Sequence, residues 1–407
     1  MVGWFTDSNS GVYENRMKRI GYLYEKLIDV DYLISSIHKA FKKKKKTRSI
    51  KKILEDPRKH AERISQMIQN GELPFLKERK ISLIKDGKQK KNRTITKASN
   101  YEHILHHAAI GLIEKRIQNS SYRYSIASYP RRGDIFGKRH LEHWINTYKG
   151  RKLYALKFDI KKFFDTIDRK ILISKLCRII KDKKFLQILI KIIYYDRSST
   201  NKGVPIGYYS SQWFANFYLQ SLDLFIKQSL LEKHMMRYMD DIVIISQNKR
   251  KLRKSFEAIR LYLEEDLCLK VKKNWQLFKM PYKPSKLMME DGWREQNIYG
   301  RPIDFMGFKF YPWKTTIRKS TLRSARRAAL RFSRFRSFKN AKSLMCYYGR
   351  LSHADVFSYI SKWIKPIISK RSLQQVLKKY ARLYDTQNAQ KWPTNKNGGT
   401  IYVQEEN

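Results

Sequence analysis

At 407 residues, with 87 Lys+Arg against 36 Asp+Glu and a formal net charge of +51, the chain is too long for one ordinary domain and too basic to be left uncompensated. Nucleic acid is the expected polyanionic partner; a membrane is not expected, since no apolar run approaches the roughly 18 residues of a span and Met1–Asp7 lacks the charged-then-apolar order of a signal peptide. Three scattered cysteines, Cys177, Cys268 and Cys346, argue against a disulfide or zinc framework and read as core thiols in a reducing cytoplasm.

In chain order, residues 1–16 are polar and aperiodic, and Met17 opens a helical pattern that runs to about Asn70. The run Lys42–Lys46 interrupts it as a solvated face or a phosphate contact. Ile81–Ile84 and Arg93–Thr96, with a turn at Asp86-Gly87, predict a hairpin. Tyr101–Ile117 predicts a helix carrying His103, His106 and His107; the i,i+4 pair His103/His107 could bind a metal, but packing or phosphate contact is expected instead. Arg131–Lys138 is a glycine-punctuated basic loop without the Walker pattern, suited to a nucleic-acid backbone. A strand through Asp159 follows, then a helix from about Arg169 with Asp168 as its N-cap, and a helix from about Ser210. A hairpin through Asp240-Asp241 and a helix around Lys254–Glu265 complete an α+β, antiparallel split-βαβ arrangement. Past Pro312 the chain turns helical and basic, with Arg318, Arg323, Arg326, Arg327, Arg331, Arg334 and Arg336. An amphipathic segment, Val356–Tyr384, precedes a polar tail expected to be disordered.

Two places concentrate the chemistry. Tyr238-Met239-Asp240-Asp241 sets adjacent carboxylates between apolar strand residues, and Asp159 ends a second apolar strand. Carboxylates there need a positive partner, either one of the surplus lysines and arginines or a divalent metal. A second carboxylate in the same setting favours metal. Two ions sharing carboxylates about 3.5–4 Å apart are a recurring device for phosphoryl transfer. Alternate side chains of a regular strand face opposite ways, so only a tight hairpin lets Asp240 and Asp241 splay around a metal, with Asp240 the closer ligand.

In these residues the chain resembles the reverse transcriptases of prokaryotic retroelements, in order from about Met17 to Tyr384. Phe158–Asp165 resembles the first palm motif, Gly203–Gln212 continuing through Asn216–Leu219 the second, and Tyr238–Asp241 the third. Leu269–Lys272 resembles the fourth and Phe305–Phe308 the primer grip. The resemblance implies a right-hand polymerase. Residues 17–145 would form the helical N-terminal and fingers region, 146–314 the palm, 315–386 a basic helical thumb, with 1–16 an extension and 387–407 a tail.

It further implies catalysis at Asp159, Asp240 and Asp241, which with the Ile160 carbonyl would hold two Mg²⁺ ions. Lys85 and Arg93 would grip the triphosphate, and Phe164 would exclude a ribose 2′-hydroxyl and so select dNTPs. Lys270 or Lys272 would protonate departing pyrophosphate, whereas Asp165 and Asp168 are not expected as ligands. Where most of the family has Gln before the glycine and Pro after the serine, this chain has Ile206 before Gly207 and Gln212 after Ser211. That pattern, and Tyr347–Asp355 in the presumed thumb, is similar to the diversity-generating retroelement group, whose enzymes misincorporate at template adenines. Apolar Ile206 would read a nucleotide pair with fewer polar constraints and reject mispairs less strongly. Implied partners are a template RNA, the cDNA/RNA primer-template duplex, dNTPs and a small basic accessory protein forming a ring, for a cytoplasmic protein that is bacterial or phage-encoded. Retron, abortive-infection and group II intron enzymes, or a non-catalytic RNA-binding scaffold, are the alternatives.

Overall fold

The computed structural model describes residues 18–389 except 43, 45–46, 76–79, 87–90, 149, 195–200 and 282–299. Four helices lead: α1 (Leu23–Ile28), α2 (Val30–Phe41), α3 (Arg48–Glu55) and α4 (Pro57–Gln69). Their starts are written locally. Asp29, Thr47 and Asp56 cap α2, α3 and α4 by accepting from Tyr32, Ile50 and Lys59 backbone N–H groups, and Pro57 occupies the first turn of α4. The hairpin follows as β1 (Lys80–Asp86) and β2 (Lys91–Lys97), antiparallel with Asp86 opposite Lys91. The turn expected at Asp86-Gly87 falls on the connection at 87–90, which lies outside the described residues.

Helix α5 (Asn100–Ser120) begins at a capping box of Ser99 and Glu102 and buries Ile104, Leu105, Ala108, Ala109, Ile110, Ile113 and Ile117 completely. Then come α6 (Asp134–Thr147), β3 (Tyr154–Asp159), the short α7 (Phe163–Thr166), α8 (Arg169–Ile179) and α9 (Lys183–Tyr194). Asp168 caps α8 as expected, accepting from the Lys170 and Ile171 N–H groups at 2.9 and 3.1 Å. α10 (Tyr209–Tyr218) and α11 (Gln220–Leu224) run into a π-helical turn at Phe225–Ser229. β4 (His234–Tyr238), β5 (Asp241–Ser246), α12 (Lys249–Glu265) and β6 (Gln276–Lys279) complete a four-stranded sheet ordered β4-β5-β3-β6. With β4, β5 and β3 antiparallel and helices between them, this is the expected α+β, split-βαβ arrangement.

The chain divides into two compact units, Met1–Gly137 with Leu153–Phe278, and Lys138–Lys152 with Lys279–Asn407. One continuous apolar core fills the first, from Leu23 to Leu269. The second contains a three-stranded antiparallel sheet, β7 (Ile303–Phe305), β8 (Phe308–Tyr311) and β9 (Lys314–Ile317). The helices α13 (Lys319–Arg334), α14 (Phe338–Leu351), α15 (Phe357–Trp363) and α16 (Lys370–Ala389) follow. Helix α13 keeps Ala325, Ala328, Ala329 and Phe332 buried, so its arginines occupy the remaining faces. Cys177, Cys268 and Cys346 are exposed, against the expectation of core thiols. Cys177 and Cys346 lie on helices whose buried stripes, Leu172 and Leu176, and Ala341 and Leu344, are supplied by other residues. Among the described residues no helix is long and apolar enough to cross a membrane.

Candidate active site

The sheet brings the motif carboxylates to one end of adjacent strands. Asp159, the last residue of β3, pairs directly with Asp241, the first residue of β5. Partners in an antiparallel pair present their side chains on the same face. Asp240 sits in the β4–β5 turn, its carbonyl accepting from the Ile160 N–H at 3.2 Å. Burial, and then the Asp159 charge beside it, push the Asp240 carboxyl up to about 6. Asp159 and Asp240 are thus a like-charge pair within hydrogen-bonding reach, an arrangement a cation relieves.

Lysines supply positive charge. Lys272 Nζ donates to Asp159 Oδ1 at 2.6 Å, while its backbone N–H donates to the Asp159 carbonyl at 2.8 Å. Lys157, two residues before Asp159 on the same face, lies 3.2 Å from Asp241 Oδ2. Both pairs are part-exposed, so each contributes at most about 1 kcal/mol to stability. Asp241 is therefore engaged by Lys157, and among the described residues no three His, Cys, Asp or Glu side chains form a metal-binding cluster. The pair that converges is Asp159 with Asp240. Its carboxylates, with the adjacent Ile160 carbonyl, are a hard all-oxygen donor set that fits a divalent cation such as Mg²⁺. Of the two fourth-motif lysines, the structure puts Lys272 at the carboxylates; Lys270 is exposed, and its carbonyl accepts from the Lys161 N–H at 2.7 Å.

Lys85 and Arg93 belong to β1 and β2, where the backbone register sets Lys85 opposite Asn92 and Arg93 opposite Ile84; their side chains lie outside the described residues. Phe164, on α7, is half-buried against Phe163, with ring centroids 5.6 Å apart. The loop before α10 is tied to the hairpin: Thr96 N–H donates to the Ile206 carbonyl at 2.8 Å. Gly207 adopts φ +116°, and a Cβ there would meet the Thr96 carbonyl oxygen at 2.4 Å, so only glycine fits. Gln212 is exposed on a helix whose other residues from Trp213 to Tyr218 are all buried.

The histidines of α5 are packing groups. His107 stacks on Tyr209 with centroids 3.8 Å apart, His106 Nδ1 and Ser210 Oγ share a hydrogen bond of 2.6 Å, and His103 Nε2 bonds to the Ala40 carbonyl at 3.2 Å.

The family described as "Reverse transcriptase (RNA-dependent DNA polymerase)" matches residues 76–310, more than half the chain and all of the carboxylate site. The chain belongs to the reverse transcriptase family. A Saccharomyces cerevisiae protein named for COX1/OXI3 intron 2 is 35% identical over 81 residues, 18% of this chain and 10% of that protein. Among solved structures, telomerase from Candida albicans with a fragment of telomeric RNA is 14% identical with a TM-score of 0.45, covering 76% of this chain and 57% of that one. Apo telomerase from Candida tropicalis is 14% identical with a TM-score of 0.44, covering 74% and 57%. This reverse transcriptase chain thus spans a tenth of the yeast relative and under two thirds of the telomerase chains.

In the second unit, the segment resembling the family's primer grip is the β7–β8 turn. Met306 and Gly307 both have positive φ, 51° and 81°, as a two-residue hairpin turn matching strand twist requires. Arg350 Nη2 donates to the Met306 carbonyl, and the guanidinium lies over the Phe308 ring at 5.1 Å. Asp355 accepts from the Thr315 N–H at 2.8 Å, so parts of the Tyr347–Asp355 segment brace this sheet.

Sequence reasoning missed a group in the first unit. Arg237 on β4 and Asp223 on α11 form a fully buried bidentate pair, Nε and Nη2 donating to the two carboxylate oxygens at 2.7 and 2.6 Å. Burial opposes the guanidinium charge, yet Asp223 outweighs it and leaves the Arg237 pKa raised. Removing one member would strand a buried charge at a cost of about 3–5 kcal/mol. The signal was present in the sequence: each is a lone charge inside an apolar run, Met235-Met236-Arg237 and Leu222-Asp223-Leu224, and the two are of opposite sign.

Proposed function

We propose that this reverse transcriptase extends DNA on an RNA template, with Asp159 and Asp240 as the metal-holding centre and Asp241 beside them. The observation that carries this reading is the juxtaposition of Asp159 and Asp240 where β3 meets the β4–β5 turn, with Asp240 pushed up to about 6. Two Mg²⁺ ions, when bound, would activate a primer 3′-hydroxyl and stabilise the pyrophosphate leaving oxygen. The chain's own residues do the rest. Asp159, the Ile160 carbonyl and Asp240 supply oxygen ligands, and Lys272, already at Asp159, is the cation placed to neutralise charge or give up a proton as pyrophosphate departs. Phe164 would exclude the 2′-hydroxyl, and Lys85 and Arg93 of the hairpin would take the triphosphate, a role suited to a guanidinium fork. In this reading residues 17–145 are the N-terminal and fingers region, 146–314 the palm and 315–386 the thumb.

The test is primer extension on a defined RNA with dNTPs and Mg²⁺. Asp240→Asn should abolish DNA synthesis while RNA binding stays within about twofold, because phosphate contacts, not this carboxylate, dominate that affinity. Synthesis retained by the folded variant would remove the metal-holding role.

The finer reading is an error-prone enzyme of the diversity-generating type, copying its retroelement's template RNA with errors at adenines. Ile206 before Gly207 supports it, and on this reading the partner implied by resemblance is a ring-forming basic accessory protein. Sequencing the cDNA tests it: errors concentrated at template adenines and reduced by Ile206→Gln are expected. The similarity to the yeast intron protein favours a second reading, an intron-type reverse transcriptase. An error spectrum without adenine preference would select that alternative.

A further inference from the structure

The turn that carries Asp240 needs holding. Met239 has φ 57°, the left-handed region that a side chain with a Cβ disfavours, so the two-residue turn carries backbone strain. Beside the Ile160 N–H on the Asp240 carbonyl, side-chain support comes from the residue just before the motif. After the fork to Asp223, Arg237 Nη1 is left over, and it donates to the Met239 carbonyl at 3.0 Å and to Asn216 Oδ1 at 3.1 Å. Asn216 is itself fixed, its Nδ2 donating to the Ala127 carbonyl at 2.7 Å. The Arg237 main chain is held as well: its N–H donates to the Tyr124 carbonyl at 3.0 Å, and its carbonyl accepts from the Ile126 N–H at 2.9 Å. Segment 124–127, α10 and α11 therefore converge on one buried guanidinium whose free edge grips the turn.

We propose that Arg237, oriented by Asp223 and Asn216, is a positioning residue that sets Asp240 against Asp159 by holding the Met239 carbonyl. It rests on the polymerase reading of those two aspartates and touches no substrate itself.

The test uses the full chain with two substitutions. Asn216→Ala leaves the ion pair whole and removes one acceptor that orients Nη1; Arg237→Lys keeps the charge and loses the fork. For each, folding is followed by urea unfolding and Mn²⁺ affinity by electron paramagnetic resonance without nucleotide, alongside kcat and KM for single-nucleotide addition. The folded Asn216→Ala protein should lose about tenfold in kcat, as small misplacements of reacting groups do, with KM for primer-template within about twofold. Its Mn²⁺ binding should weaken severalfold, and Arg237→Lys should follow the same pattern more strongly. Wild-type kcat and Mn²⁺ affinity in a folded variant, or losses that only track the folded fraction, would overturn the proposal. If Arg237→Lys does not fold, Asn216→Ala decides. A wild-type chain that synthesises no DNA would sink the polymerase reading; an active wild type with an unaffected Asn216→Ala sinks the positioning role alone.

Discussion

Replacing Gly207 by alanine probes the link between the hairpin and the loop before α10. The new Cβ would lie 2.4 Å from the Thr96 carbonyl oxygen and 2.7 Å from Ile95 Cγ2, and the first of these is backbone that cannot rotate away. Holding a residue with a Cβ at φ +116° adds strain of order 1–3 kcal/mol. Overpacking against Thr96 adds about 1–3 kcal/mol more if nothing moves. Lifting the loop off β2 is the cheaper route, since it forfeits a Thr96–Ile206 hydrogen bond worth about 1 kcal/mol. The expected loss of stability is therefore about 2–4 kcal/mol, the sum of residual strain and the broken bond. Because the displaced loop carries Ile206, KM for dNTP should rise about tenfold or more, which is only about 1.4 kcal/mol of lost binding. Urea unfolding and steady-state primer extension read the two effects. Gly349→Ala is the control: nothing lies within 4 Å of its Cβ on helix α14, so a gain of about 0.5–1 kcal/mol is expected. If Gly207→Ala matches wild type within about 0.5 kcal/mol and twofold in kcat/KM, the loop does not depend on its contact with β2 and the reasoning fails.

Removing the α8 cap with Asp168→Ala should cost about 1 kcal/mol in urea unfolding while leaving the extension rate unchanged; a lost rate would make Asp168 more than a cap. The α5 histidines predict an acid-sensitive fold. Burial, with Lys44 adding to it, lowers the His103 pKa to about 4; burial, then His103, lowers that of His107 to about 3. Both folded values lie below the unfolded 6.5, so the unfolded chain binds more protons and stability falls as pH drops below about 6.5 toward 4. Discounted for partial exposure, the pair should lose about 1–2 kcal/mol between pH 7 and 5.5. His107→Phe should flatten that slope, and an unchanged slope would refute the assignment. Phe164→Val should raise the use of rNTPs relative to dNTPs in competition assays; an unaltered ratio would leave the ring as a packing group.

What the sequence disclosed was what repeats locally. Asp159 and Asp240-Asp241 stood out because a carboxylate in an apolar strand is costly, and the Asp168 cap and the hairpin follow from short-range chemistry. Pairings across long separations were less visible. Lys272 reaching Asp159 and Lys157 reaching Asp241 are set by strand register, and among 87 basic residues neither lysine is distinctive. The three-stranded sheet β7–β9 escaped because its strands are only three or four residues long, too short for a periodic signal against the helical, arginine-rich segment beyond Pro312. Cysteine exposure was misjudged because residue type was used where helix face decides.

Lys157 and Lys272 act as resident counterions for Asp241 and Asp159. Two of the three carboxylates at this end of the sheet thus carry a counterion from the chain itself, and Asp240 is the one left for an ion from solution on the proposed reading. If the proposed metal role holds, chelating agents should silence the protein without melting it, and the ion should exchange freely with solvent instead of being locked in as a structural rivet.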